Sequence, residues 1–152
     1  MRARLVELDL RNVTFARTST SAANLEAIEI VQADAGTTGA YVGAVPANIV
    51  LSCGVFGNIT GDDILRTIRA FPTLCAEGAA VIWTRNRLPP DLTPKIRTWF
   101  REAGFDEEAF SVPDGTVFGV GVHRFAQQPQ PFESDRRLFT FVGYDQILGK
   151  SE

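Results

Sequence analysis

Short apolar runs, rich in β-branched residues and separated by helix-forming stretches, constrain this chain more than any other feature. Ile49-Val50-Leu51-Ser52-Cys53 and the run from Ala79 to Thr84 contain almost no polar alternation, as expected of strands covered on both faces of a parallel sheet. Two further runs, Arg4 to Leu8 and Ile28 to Ala33, precede them. Helix signals fall between the runs. Asn12 is a candidate N-cap for a helix reaching about Ala23, although its apolar periodicity is weak. Thr60 with Asp63 three residues on opens a clearer one, whose buried stripe is Ile64, Leu65, Ile68 and Phe71 and which Pro72 bends or ends. Thr93-Pro94 starts a third, with Ile96, Trp99, Phe100 and Ala103 on one face and Gly104 as its left-handed stop.

The last two extended segments, Phe105 to Val112 and Thr116 to Phe125, are separated by Pro113-Asp114-Gly115, a turn sequence that pairs them antiparallel. The pattern therefore predicts an α/β fold: a mostly parallel sheet with helices in layers on its faces and an antiparallel C-terminal hairpin. Ala35 to Pro46, with three glycines and a proline, reads as a loop or broken helical turn. Ala126 to Asp135 is rich in Gln and Pro, and Leu138 to Val142 reads as an extended segment laid on the body. With 152 residues the chain suits one domain, with its core in 3–125 and a tail over 126–152.

Composition narrows the function classes. Lys and Arg total 15 against 18 Asp and Glu, a formal charge of -3. That balance offers no long-range attraction to nucleic acid or an anionic membrane. Cys53 and Cys75 have neither CxxC spacing nor partner histidines, and His123 is the single histidine, so no metal centre is expected. No run approaches the length of a membrane helix, and Met-Arg-Ala-Arg-Leu-Val-Glu-Leu-Asp is too short and too quickly acidic for a signal peptide. The expected compartment is the cytoplasm.

In such folds ligands bind at the carboxyl ends of the strands. Three of those ends are chemically distinctive: Glu7, Asp34 and Cys53-Gly54. A carboxylate there can accept from a ribose diol, and a second can accept from an adenine amino group. The plainer reading is that each acid caps the helix after it. Arg85, Asn86, Arg87 and Asn58 fall in loops at the same edge, suited to a polar or anionic substrate, although solvated arginines are the commoner finding. Cys53 has no neighbouring base to make it a nucleophile, and it reads as packing the strand end. Trp83 and Trp99 read as core and interface bulk, His123 as a structural histidine, and Tyr41 as a possible cover for a ligand.

The segments Leu5-Val6-Glu7-Leu8-Asp9, Ile30-Val31-Gln32-Ala33-Asp34-Ala35 and Ile49 to Asn58 resemble the Rossmann-like, class I S-adenosylmethionine-dependent methyltransferases over residues 1 to about 125. The resemblance implies Glu7 as the ribose-binding acid and Asp34 as the adenine-binding one. It also implies Leu8 and Ala35 flanking the adenine, with the backbone of Cys53, Gly54 and Val55 lining the methionine side. The implied function is methyl transfer from S-adenosylmethionine to a small molecule.

The family opens with a strand and a glycine-rich cofactor loop, and nothing of that kind precedes Glu7 here. That strand lies between the strands ending at Glu7 and Cys53, so the expectation is a fold truncated at its N-terminus, with apolar surface uncovered. A longer native protein with a misassigned start, or a homodimer that covers the surface, follows from this. A non-catalytic, methyltransferase-like remnant that binds a partner is the alternative. A dehydrogenase is less suited, because Gly54 and Gly57 lack the glycine fingerprint for pyrophosphate.

Overall fold

The computed structural model describes residues 1–143 and Ile147. In chain order its elements are β1 (Ala3–Glu7), α1 (Leu10–Ala22), β2 (Ile28–Gln32), β3 (Ala47–Ser52), α2 (Gly61–Ala70), β4 (Cys75–Asn86), α3 (Thr93–Glu102), β5 (Phe105–Ser111) and β6 (Phe118–Phe125). Short 3-10 turns lie at Thr38–Tyr41 and Phe71–Thr73. Residue contacts divide the chain into two compact units: Met1–Ala44 with Ser134–Arg137, and Val45–Glu133 with Leu138 onward. Hydrogen bonding likewise forms two sheets, β1-β2 and β3-β4-β6-β5. Pairing is parallel for β1 with β2 and for β3 with β4, and antiparallel for β6 with both β4 and β5. Parallel and antiparallel pairing together with flanking helices makes this an α/β fold, as the sequence pattern predicts.

In the first unit β1 and β2 run in register from Ala3 opposite Ile28 to Glu7 opposite Gln32. Helix α1 starts earlier than the sequence suggests. Asp9, not Asn12, is its N-cap, and its carboxylate accepts from the Arg11 amide at 2.8 Å. Arg4 crosses from β1 to donate to the carbonyl of Val42 at 2.6 Å and to Glu29 at 2.9 Å, fixing the loop after β2. The tail returns here: the Thr38 amide donates to the Arg136 carbonyl at 3.0 Å, and the Arg136 amide donates to Thr38 Oγ1 at 2.9 Å. Buried apolar side chains are few in this unit, Val13 and Ala40 among them.

The second unit holds the larger core. Val81, Trp83, His123 and Phe125 alternate inward along β4 and β6, and they pack against α3 through Ile96 and Phe100. Helix α2 adds Ile64 and Ile68 from the stripe anticipated for it, and the Thr60 hydroxyl caps it by accepting from the Asp63 amide at 3.2 Å. At α3 the structure moves the cap back: Thr93 is already helical, and Asp91 accepts from both its amide and its hydroxyl. Strand β4 is twelve residues long, twice the predicted run: it starts earlier, where Cys75 pairs with Ala47 of β3, and β6 extends its end to Asn86. Leu138 and Phe139 in the tail are buried, and the Thr140 amide donates to Asp63 at 3.0 Å, so this segment lies on the unit without joining a ladder.

Candidate functional site

Chemistry-bearing groups collect at the carboxyl ends of the parallel strands in each unit. In the first, Glu7 closes β1 and Asp34 follows β2 by two residues, and the Ala33 amide donates to the Glu7 carbonyl at 3.1 Å. Parallel pairing in direct register brings the two acids to one end of one sheet. Both are partly buried and both are anchored locally. Glu7 Oε1 accepts from the Asp9 amide at 2.8 Å, which leads the chain into α1.

Asp34 Oδ1 accepts from the Gly36 amide at 2.7 Å, and Oδ2 accepts from Arg137 at 2.6 Å. Burial opposes ionisation of Asp34, but hydrogen bonds from Arg137 and Gly36, with the guanidinium charge, hold its carboxyl below the ordinary value. A carboxylate offers about four acceptor positions, so neither acid is saturated by these partners. Leu8 is well exposed beside Glu7, and Ala35 is half-buried beside Asp34.

Tyr41 belongs to this end of the unit in a way its sequence context does not reveal. Its hydroxyl donates to the Ala35 carbonyl at 2.7 Å. Burial first, and the Asp34 charge second, push its pKa up to about 12. Tyr41 is therefore a protonated donor that fixes the backbone following Asp34.

In the second unit the chain leaves β3 through Cys53, Gly54 and Val55. Gly54 has φ +73°, a left-handed conformation that strains other residues. Its amide donates to Thr84 Oγ1 at 3.1 Å, and its carbonyl accepts from Asn58 Nδ2 at 2.7 Å. Gly54, Asn58, Thr84, Arg85, Asn86 and Phe118 line a pocket of about 330 Å³. Cys53 is exposed, and the pocket-lining groups after β3 are its neighbours Gly54, Gly57 and Asn58.

Arg85 departs from the solvated-loop expectation. It is the penultimate residue of β4, only 3% exposed, and its guanidinium donates to the Phe56 carbonyl. Arg87 does fit that expectation, exposed and paired with Asp91 at 3.1 Å. The difference is strand parity: Arg85 follows Val81 and Trp83 on the covered face of β4, which only the packing of α3 reveals.

His123 is not part of either constellation. It is stacked 4.3 Å from Phe100, and Nδ1 accepts from Trp83 Nε1 at 3.1 Å, which puts the imidazole proton on Nε2 facing Glu107 at 3.5 Å. Among the described residues no group of three or more His, Cys, Asp or Glu could hold a metal ion, and no helix is long and apolar enough to cross a membrane.

No protein-family model matches the chain, and no curated protein does. Solved structures do. An O-methyltransferase family protein from Burkholderia thailandensis superposes with TM-score 0.67 at 14% identity, over 84% of this chain and 44% of that one. The fibrillarin pre-rRNA processing protein of Methanococcus jannaschii gives 0.63 at 13%, over 84% and 57%. A methyltransferase from Pyrococcus furiosus gives 0.59 at 15%, over 83% and 64%. These likenesses define the fold as that of class I S-adenosylmethionine-dependent methyltransferases. The chain spans less than two thirds of each of those three structures.

Proposed function

We propose that this chain is an S-adenosylmethionine-dependent methyltransferase domain acting on a small polar molecule, in which Glu7 and Asp34 recognise the adenosine. The observation that carries the reading is the placement of two partly buried acids at adjoining tips of a parallel pair, each with acceptor capacity left. Glu7 would accept from the ribose hydroxyls and Asp34 from the adenine amino group, with Leu8 and Ala35 against the ring. Tyr41 supports this by holding the Ala35 backbone in place.

When bound, the cofactor would supply an electrophilic methyl group to a lone pair of the acceptor, with its sulfur as the leaving atom that keeps the bonding electron pair. The chain's share is alignment and exclusion of water, which needs no conspicuous acid or base. Asn58, Thr84 and Asn86 give the second unit's own pocket a polar lining.

A second reading has one observation in its favour. Glu7 and Asp34 each already serve a local turn, and Asp34 also binds Arg137, so both acids could be structural in a non-catalytic relative of the fold. Incubation with methyl-labelled S-adenosylmethionine and a panel of small phenols, amines and carboxylates separates the two. The enzyme reading predicts label transfer that is lost in Asp34→Ala. Cofactor binding with no transfer to any acceptor class favours the non-catalytic one.

A further inference from the structure

The segment Ser134–Arg137 lies beyond the core that the sequence pattern defines, yet it packs into the first unit beside Asp34. Its backbone is fixed independently of its side chains. Asp135 turns the chain at φ +63°, a left-handed conformation that aspartate tolerates, and Thr37 and Arg137 then form an antiparallel bridge. The Thr38 amide donates to the Arg136 carbonyl, and the Arg136 amide donates back to the hydroxyl of Thr38, a fully buried residue. Packing is close: a Cβ added at Gly39 would stand 3.1 Å from Asp135 Oδ1. The segment is thereby joined to the 3-10 turn Thr38–Tyr41, whose Tyr41 hydroxyl holds the Ala35 carbonyl.

This scaffold delivers a guanidinium to Asp34. Arg137 meets Oδ2 at 2.6 Å and the Gly36 amide meets Oδ1 at 2.7 Å, so each carboxylate oxygen has a partner that sets its direction. Each oxygen also keeps a second lone pair. A guanidinium attracts the carboxylate and, being planar, orients it as well. Asp34 needs that help, because partial burial works against its charged form. Among the described residues Arg137 is the charged group that lowers its pKa. Tyr41, on the 3-10 turn, is a neutral phenol, and Glu7, at the neighbouring tip of β1, is another acid.

We propose that Arg137 is a positioning residue of the adenosine site, a role that rests on Asp34 being the adenine acid. Through Asp34 it presents an oriented carboxylate to the adenine amino group, without itself touching the cofactor. The C-terminal segment is then part of cofactor recognition, and residues 3–125 alone do not complete the site. Both side chains of the pair stay about half exposed, so Asp34 remains open to a ligand while Arg137 holds it.

Calorimetric titration of the full chain with S-adenosylmethionine, repeated between about pH 7 and about pH 4.5 with circular dichroism to confirm the fold at each step, tests this. At neutral pH Arg137→Ala should weaken binding roughly threefold to fivefold, as expected for loss of a half-exposed ion pair. On acidification the alanine variant should lose affinity at a higher pH than the parent, because Asp34 takes up a proton more readily without the guanidinium. Glu7 is common to both proteins, so the difference belongs to Asp34. Arg137→Lys keeps the charge and should bring the pH profile back toward the parent. A loss equal at every pH and in both variants would mean that the segment only shapes the loop, and would overturn the positioning role. So would parent binding that is weakened in Asp34→Ala but unchanged in strength and pH profile in Arg137→Ala. No binding by the parent would overturn the adenosine reading and the role of Arg137 with it.

Discussion

At the residue scale the buried His123 should make the larger unit sensitive to acid. Burial lowers its pKa to about 4, opposed by the Glu107 charge, against an ordinary value of 6.5. The unfolded chain therefore binds the proton more readily between those values. Stability from neutral His123 is full above pH 6.5 and is lost as the pH falls toward 4. The expected loss between pH 7 and pH 5 is about 2 kcal/mol, read from urea melts at the two pH values. His123→Gln, which keeps an acceptor for Trp83 Nε1, should flatten that dependence. An unchanged slope in the variant would show that other groups carry it.

Arg137 offers a second test. Its ion pair with Asp34 is roughly half exposed, so Arg137→Ala should cost under about 1 kcal/mol of stability. The Asp34 carboxyl should move back up toward its ordinary range, seen in a carbon-13 carboxyl titration. Whether each such partner is legible from sequence depends on distance along the chain. Asp63 capped by Thr60 is legible at a spacing of three. Asp34 meets an arginine 103 residues away, which no local pattern encodes.

Among the elements, strands β2 and β3 and helix α2 were readable because apolar runs and capping pairs are local, and their bounds fall close to the patterns. The caps of α1 and α3 were not. Asp9 takes the cap position of α1 in place of Asn12, and at α3 Leu92 holds it in place of Thr93, with Asp91 one residue earlier accepting from the Thr93 amide. The ends of β4 depend on distant partners, Ala47 of β3 at Cys75 and Phe118 of β6 at Asn86, so an isolated apolar run could not reveal them. The pairing with β6 also fixes a glycine. Gly121 lies opposite Trp83, and a Cβ there would overlap the indole ring. Gly121→Ala should therefore destabilise by about 1–3 kcal/mol, measured by thermal or denaturant unfolding. A neutral substitution would show that the indole has room to move.

For the molecule as a whole, the strand-and-helix order and the antiparallel ending made the fold class legible from sequence, and the acids at the tips of β1 and β2 made the candidate site legible. The division into two sheets and two units was not, since it depends on which strands share a ladder rather than on any one strand's composition. The same holds for the pocket beside Gly54, assembled from β3, β4 and β6 after folding.

The central functional claim is adenosine recognition by the acid pair, and calorimetric titration with S-adenosylmethionine addresses it most directly. Saturable binding is predicted, weakened at least about tenfold in Asp34→Ala and in Glu7→Ala, since a hydrogen bond to a charged group contributes about 1.5–3 kcal/mol. No heat at millimolar cofactor, or equal affinity in both variants and the parent, would contradict it.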